Sequence, residues 1–195
     1  MIIDIIKCFM KKVLLISLLL LVGLAATAKK YVPERGDYTF KTRVCTTDDE
    51  GSTIADSIIT YLTDKTGRID TLVSWAIPLD IEYWTGFGEI LEEDINFDGI
   101  PDLQICLGPF NSFGNFTYDG LLWDQDAHKF VRVENYSEIF DPQVSLFEKR
   151  IIGLFRLDND LTISEYEWHD GKLVLIDERD DKWPTGNEDD DPAED

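Results

Sequence analysis

The chain has 195 residues, 39 of them Asp or Glu against 18 Lys or Arg, for a formal net charge of −21. So acidic a surface repels nucleic acid and anionic membrane, and it draws cations or a basic protein partner. The length allows one domain plus extras, and the extras are visible at both ends.

At the amino terminus, Lys11-Lys12 precedes the apolar run Val13–Val22 and then Ala26-Thr27-Ala28. A positive region, a short apolar region and a small-x-small site read as a secretory signal over 1–28, with Met10 as the initiator. The apolar run is too short for a comfortable membrane span, and no Cys stands at the cleavage site to carry a lipid. The expectation is export to the periplasm or the extracellular space without a stable membrane anchor. Residues 29–36 are read as a leader to the folded domain, 37–183, and 184–195 as a disordered acidic tail, since "GNEDDDPAED" has no apolar periodicity.

Within the domain the chain reads as strands. Thr39–Thr46 is a β-rich run, and Ser57–Thr63 and Arg68–Trp75 flank Asp64-Lys65-Thr66-Gly67, a hairpin turn. Leu103–Leu107 alternates, placing Leu103, Ile105 and Leu107 on one face. Leu121–Trp123 and Phe130–Val133 are joined through Asp124–Lys129, and Arg150–Leu157 pairs with Leu161–Trp168 across Asp158–Asp160. Leu173–Asp177 returns through His169–Lys172, where Asp170-Gly171 is a type I′ signal. Short strands broken by turn signals about every 8–12 residues, with no sustained helical period, predict one all-β domain, an antiparallel two-sheet β-sandwich.

Just before the Leu103 strand stands Asp94-x-Asn96-x-Asp98-Gly99-x-x-Asp102. A hard divalent cation takes oxygen ligands at alternating positions of a tight loop, and this window matches the first nine positions of the EF-hand calcium loop. Asp94, Asn96 and Asp98 fill positions 1, 3 and 5, Gly99 allows the turn, the Ile100 carbonyl falls at 7 and Asp102 at 9. Ile105 stands where a bidentate Glu belongs, and no helices flank the loop. The reading is an EF-hand-like Ca2+ loop leading into a strand, with Asp94, Asn96, Asp98, Ile100 and Asp102 as ligands.

Catalytic signals are missing. The two histidines, His128 and His169, fall in turns, and there is no nucleophile elbow, zincin pair, phosphate-binding loop or C-x-x-C. An enzyme is not expected. Cys45 and Cys106 survive signal cleavage; they read equally as a disulfide, which would stabilise by about 4 kcal/mol, or as two buried thiols.

The segment "GPFNSFGNFTYDG", Gly108–Gly120, mixes aromatic anchors with small polar residues and glycine, a composition that suits protein recognition. Alternate aromatics there read equally as core-facing strand residues.

The order of features then matches a known pattern. An acidic N-F-D-G-x-x-D-L segment is followed by a Gly-rich loop, "YDGLLWDQDAHKFVRV", "IFDPQVSLFEKRI" and "YEWHDGKLVLI". Over about residues 90–178 this resembles secreted calcium-binding β-sandwich proteins related to the type I periplasmic lysozyme inhibitors, some of which act as immunity proteins against secreted lysozyme-like effectors. The resemblance implies occlusion of a muramidase cleft by a loop, in related inhibitors of a Ser-Gly-x-x-Tyr type. Here that loop is Ser112–Tyr118, with a residue inserted after Ser and a shifted Tyr. Ser112, Phe113, Asn115 and Tyr118 are the implied contacts, and a lysozyme-like muramidase the implied partner. The alternative is a calcium-stabilised surface or glycan-binding module without inhibitory activity.

Overall fold

Tyr38–Asp49 (β1), Ser52–Asp64 (β2) and Ile69–Trp75 (β3) form the first of three antiparallel sheets in the computed structural model, which describes residues 31–183. The expected turn between β2 and β3 is closed locally. The Asp64 carboxylate accepts from the backbone N–H groups of Thr66 at 2.8 Å and Arg68 at 3.0 Å, the self-capping that makes Asp common in turns.

Ile90–Glu93 (β4), Asp102–Pro109 (β5), Phe116–Asp124 (β6) and Lys129–Arg132 (β7) make the second sheet in the order β4-β5-β6-β7. After a single 3-10 turn at Tyr136–Glu138 come Gln143–Ser145 (β8), Arg150–Leu157 (β9), Asp160–His169 (β10) and Lys172–Lys182 (β11), ordered β11-β10-β9-β8. The all-β reading stands, but the two-sheet count is corrected to three.

The reason lies in the second sheet, which has apolar packing on both faces. One cluster joins Tyr38, Ile58 and Leu62 of the first sheet to Leu103, Ile105, Leu107, Leu121 and Trp123. The other joins Ile95, Tyr136, Ile139 and Ile151 to Tyr118, Leu122 and Trp168. Strand alternation accounts for the division, since successive side chains of β6 leave opposite faces. β5 is accordingly buried at every position. Its second face carries polar groups, and these are satisfied: Tyr136 donates from its hydroxyl to Gln104 Oε1 at 3.0 Å, and Gln104 Nε2 donates to Glu93 at 2.8 Å. A buried amide without such partners would cost about 1–3 kcal/mol. Gly120 lies under the same tyrosine, and a Cβ added there would meet the Tyr136 ring at 2.5 Å.

A buried polar tie also joins the first and second sheets. Ser74 on β3 donates to Asp119 on β6 at 2.6 Å, and Arg132 on β7 donates to both Asp119 oxygens and to the Val73 carbonyl. Ahead of β1, Gly36 N–H donates to the Glu92 carboxylate and Arg35 to the Glu92 carbonyl. Part of the expected leader is therefore held on β4.

Both Cys45 and Cys106 are free thiols, and Cys106 is buried. Among the described residues no helix is long and apolar enough to cross a membrane. The expected signal and acidic tail lie outside the described residues.

Candidate functional site

The acidic loop connects β4 to β5 and is pinned at two apolar points. Ile95 is buried in the cluster shared with the third sheet, and Ile100 in the cluster shared with the first. The indole N–H of Trp168 on β10 donates to the Ile95 carbonyl at 2.8 Å. Between these anchors the backbone turns sharply, with Phe97 at φ 63° and Gly99 at φ 85°, a region in which glycine carries no steric penalty.

The carboxylates point inward onto the loop. Asp94 accepts from the N–H groups of Asp98 at 3.0 Å and Gly99 at 2.9 Å. Asn96 Oδ1 meets the same Asp98 N–H at 3.1 Å, so the side-chain oxygens of positions 1 and 3 converge on one point. Asp98 accepts from Ile100 N–H at 2.8 Å. Asp102 is fully buried and accepts from Ile95 N–H at 3.0 Å and Trp123 N–H at 2.8 Å. Burial, opposed by the Trp123 amide and aided by the charge of Asp98, pushes the Asp102 carboxyl up to about 7. Among the described residues no three carboxylate, imidazole or thiolate groups are already gathered as a metal centre. The set of oxygen donors and the turn nonetheless fit a hard cation, and each carboxylate oxygen that accepts one amide keeps a lone pair free.

The aromatic segment lies between β5 and β6. Phe110 N–H donates to the Asn115 carbonyl at 2.6 Å, which closes a tight loop over residues 110–115. The Asn111 side chain caps it from within, accepting from Phe113 N–H at 3.0 Å. The loop is then fastened to β9. Asn115 Nδ2 donates to the Arg156 carbonyl and Asn115 Oδ1 accepts from Arg156 N–H, each at 2.7 Å. Phe110 packs on Phe140 with ring centroids 4.8 Å apart, and Phe140 on Phe155 at 4.8 Å.

The four residues singled out from the sequence thus fall into two groups. Ser112 and Phe113 are exposed at the loop tip, with Phe113 at 40%. Asn115 is buried and spends both amide atoms on Arg156, which fastens the base of the loop. Tyr118 is half-buried, packs on the second cluster and stands opposite Cys106 in the β5–β6 pair. Burial drives the ionisation of its hydroxyl upward, and its ring lies partly buried against that cluster.

Two neighbours of the tip were missed in the sequence. The Arg156 guanidinium sits 4.5 Å over the Trp183 ring, and both line a shallow depression with Phe113, Asp141 and Gln143. Trp183 is more than 60 positions from the loop in sequence, so no local signal pointed to it; Arg156 read only as a polar position in a strand. Asp141, half-buried there, accepts from Phe116 N–H at 3.1 Å, and its carboxyl is raised mainly by burial. His128 and His169 are both exposed at turns, and His169 lies 3.5 Å from Glu167.

No protein-family model matches the chain, and no curated protein matches it. Among solved structures it is similar to one described as the structure of a Xanthomonas type IV secretion system related protein. The identity is 20% and the TM-score 0.54, with 80% of this chain and 86% of the other covered. At that identity the likeness establishes a shared fold.

Proposed function

We propose that the chain is an exported, calcium-stabilised protein-interaction module that inhibits a lysozyme-like peptidoglycan hydrolase by occluding its cleft. The observation that carries this reading is the 110–115 loop, whose exposed Ser112 and Phe113 ride on a base fastened by Asn115 to Arg156. A loop ordered before binding loses little entropy on entering a cleft, which is the physical requirement for inhibition by occlusion. The solved structure of like fold is named for its relation to a type IV secretion system, and a module that acts on exported hydrolases fits that setting. A net charge of −21 speeds encounter with a basic muramidase.

In this reading Asp94, Asn96, Asp98, the Ile100 carbonyl and Asp102 hold Ca2+. The ion supplies positive charge where the loop gathers carboxylates around a buried Asp102. Its role is structural: it fixes the entry to β5, whose far end leads into the 110–115 loop.

The direct experiment is a panel of chicken-type, invertebrate-type and effector lysozymes assayed for residual activity with the purified chain. Inhibition by the parent and its weakening in Phe113→Ala support the proposal. The competing reading, a glycan-binding module without inhibitory activity, draws on the Phe113, Arg156 and Trp183 depression, whose aromatic surface suits a sugar face. Direct binding of soluble oligosaccharide with unaffected muramidases would select it.

A further inference from the structure

The third sheet carries a trough that the tip of the 110–115 loop does not enter. Cross-strand rows on one face of β9, β10 and β11 read Leu157–Asp160–Lys182, Phe155–Thr162–Asp180 and Gly153–Ser164–Glu178. The β9 side is apolar. Leu157 is 55% exposed, and Phe155 packs on Phe140 with ring centroids 4.8 Å apart. The Phe140 carbonyl accepts from Leu154 N–H at 2.7 Å, which holds Phe140 beside Gly153. A Cβ on Gly153 would meet Ile139 at 2.8 Å, so glycine leaves room for that crossing. The β11 side is acidic. Glu178 and Asp180 are exposed there, and they accept from the Ser164 and Thr162 hydroxyls of the floor at 3.2 and 3.0 Å. Glu138 closes one end. The space consists of two adjoining depressions, of about 590 and 170 Å³, that meet at Phe155 and Thr162.

We propose that this trough binds an extended segment of a basic protein in which cationic and apolar side chains alternate. Charge selects that occupant. The cations nearby are already engaged: Lys182 pairs with Asp160 in the end row. Arg179 and Arg156 stand at the alternate positions of their strands, on the opposite face. There Arg179 holds Glu165 and Asp177, and Arg156 lies over Trp183. Among the described residues no cation pairs with Glu138, Glu178 or Asp180. These carboxylates oppose a second copy of the chain, at a net charge of −21, and also its own 184–195 segment, which has six Asp or Glu and no Lys or Arg. A basic segment meets complementary charge instead. Spacing selects the alternation. Same-side residues of an extended chain recur about every 6.8 Å, the interval from Glu178 to Asp180 on β11 and from Gly153 to Phe155 on β9. A segment laid along the trough therefore sends its cations to Glu178 and Asp180 and its apolar groups to Phe140 and Phe155. The two walls stand two strand spacings apart, about 10 Å, which is room for one extended chain.

The test is calorimetric titration of the chain with three probes: a hexapeptide alternating Lys and Leu, a hexapeptide of three Lys followed by three Leu, and spermine. The alternating peptide should bind one to one, at least tenfold more tightly than either of the others. Glu178→Gln combined with Asp180→Asn should weaken it at least tenfold with an unchanged melting curve. Asp48→Asn combined with Asp170→Asn changes the net charge equally at exposed positions elsewhere, and should leave the affinity within twofold. Leu157→Ser should weaken the alternating peptide at least threefold and leave spermine unaffected. No binding of the alternating peptide, equal affinity for all three probes, or equal losses in the two charge variants would overturn the proposal. None of these readouts depends on muramidase inhibition.

Discussion

The side-chain amide of Asn115 brackets the backbone of Arg156, donating to its carbonyl and accepting from its N–H at 2.7 Å in each direction. It acts there as an added backbone unit, joining the loop after β5 to a strand of the third sheet. Asn115→Ala removes both bonds and leaves two half-buried backbone groups of Arg156 unpaired. The expected cost is about 2 kcal/mol, or a melting temperature lower by roughly 4–8 °C. Amide exchange should accelerate at Phe110 and Arg156 before it does at β5. A variant that melts with the parent would show that the clasp does not hold the loop.

Tyr118 separates core from contact. Its ring packs on the second cluster, so Tyr118→Ala should destabilise by about 3 kcal/mol. Inhibition per folded molecule should not change. Tyr118→Phe keeps the packing and should melt close to the parent. Normalising inhibition to the folded fraction, measured by circular dichroism, distinguishes this from a contact role.

Asp141 gives a pH dependence with a definite sign. Burial raises its carboxyl above the ordinary value of 3.8, so the folded state binds the proton more tightly than the unfolded chain does. Its contribution is most favourable below the unfolded value and is lost as pH rises through the folded one. Asp141→Asn retains an acceptor for Phe116 N–H and removes the titration. Relative to the parent it should gain stability between acid and neutral pH, read from denaturant midpoints at successive pH values. A difference that is constant across that range would contradict the assignment.

Much of this architecture was legible in the residues. The alternation of Leu103, Ile105 and Leu107 marks one face of a strand, and those three side chains do share a cluster. The Asp64–Gly67 and Asp170-Gly171 turns also fall where turn chemistry puts them, with Asp170 at φ 49° and Gly171 at φ 76°. The third layer was not legible. Gln104 and Asp102 alternate with the apolar set along β5, yet both are fully buried. Their burial depends on Tyr136, Glu93, Ile95 and Trp123 supplying hydrogen bonds from elsewhere in the chain, and pattern within one strand carries no trace of that. The same limit applies at the loop. Asn115 has the composition of a contact residue, and only its position beside Arg156 turns it into a fastener.

The acidic loop yields a prediction in metal. Ion binding to the folded state alone, at a hundredfold excess over Kd, stabilises by about 2.7 kcal/mol. Metal-stripped chain should therefore melt higher with calcium than with chelator, and Asp98→Ala should abolish the difference. Coincident melting curves for the parent in both conditions would remove calcium from the account.

Inhibition is read by titrating a muramidase with the chain in the presence of calcium. Occlusion of the cleft predicts that one enzyme class loses activity in proportion to added chain. It also predicts that Phe113→Ala, at an exposed loop tip, raises the half-inhibitory concentration about tenfold or more without lowering the melting temperature. Chicken-type, invertebrate-type and effector lysozymes that all stay fully active at micromolar chain would contradict it.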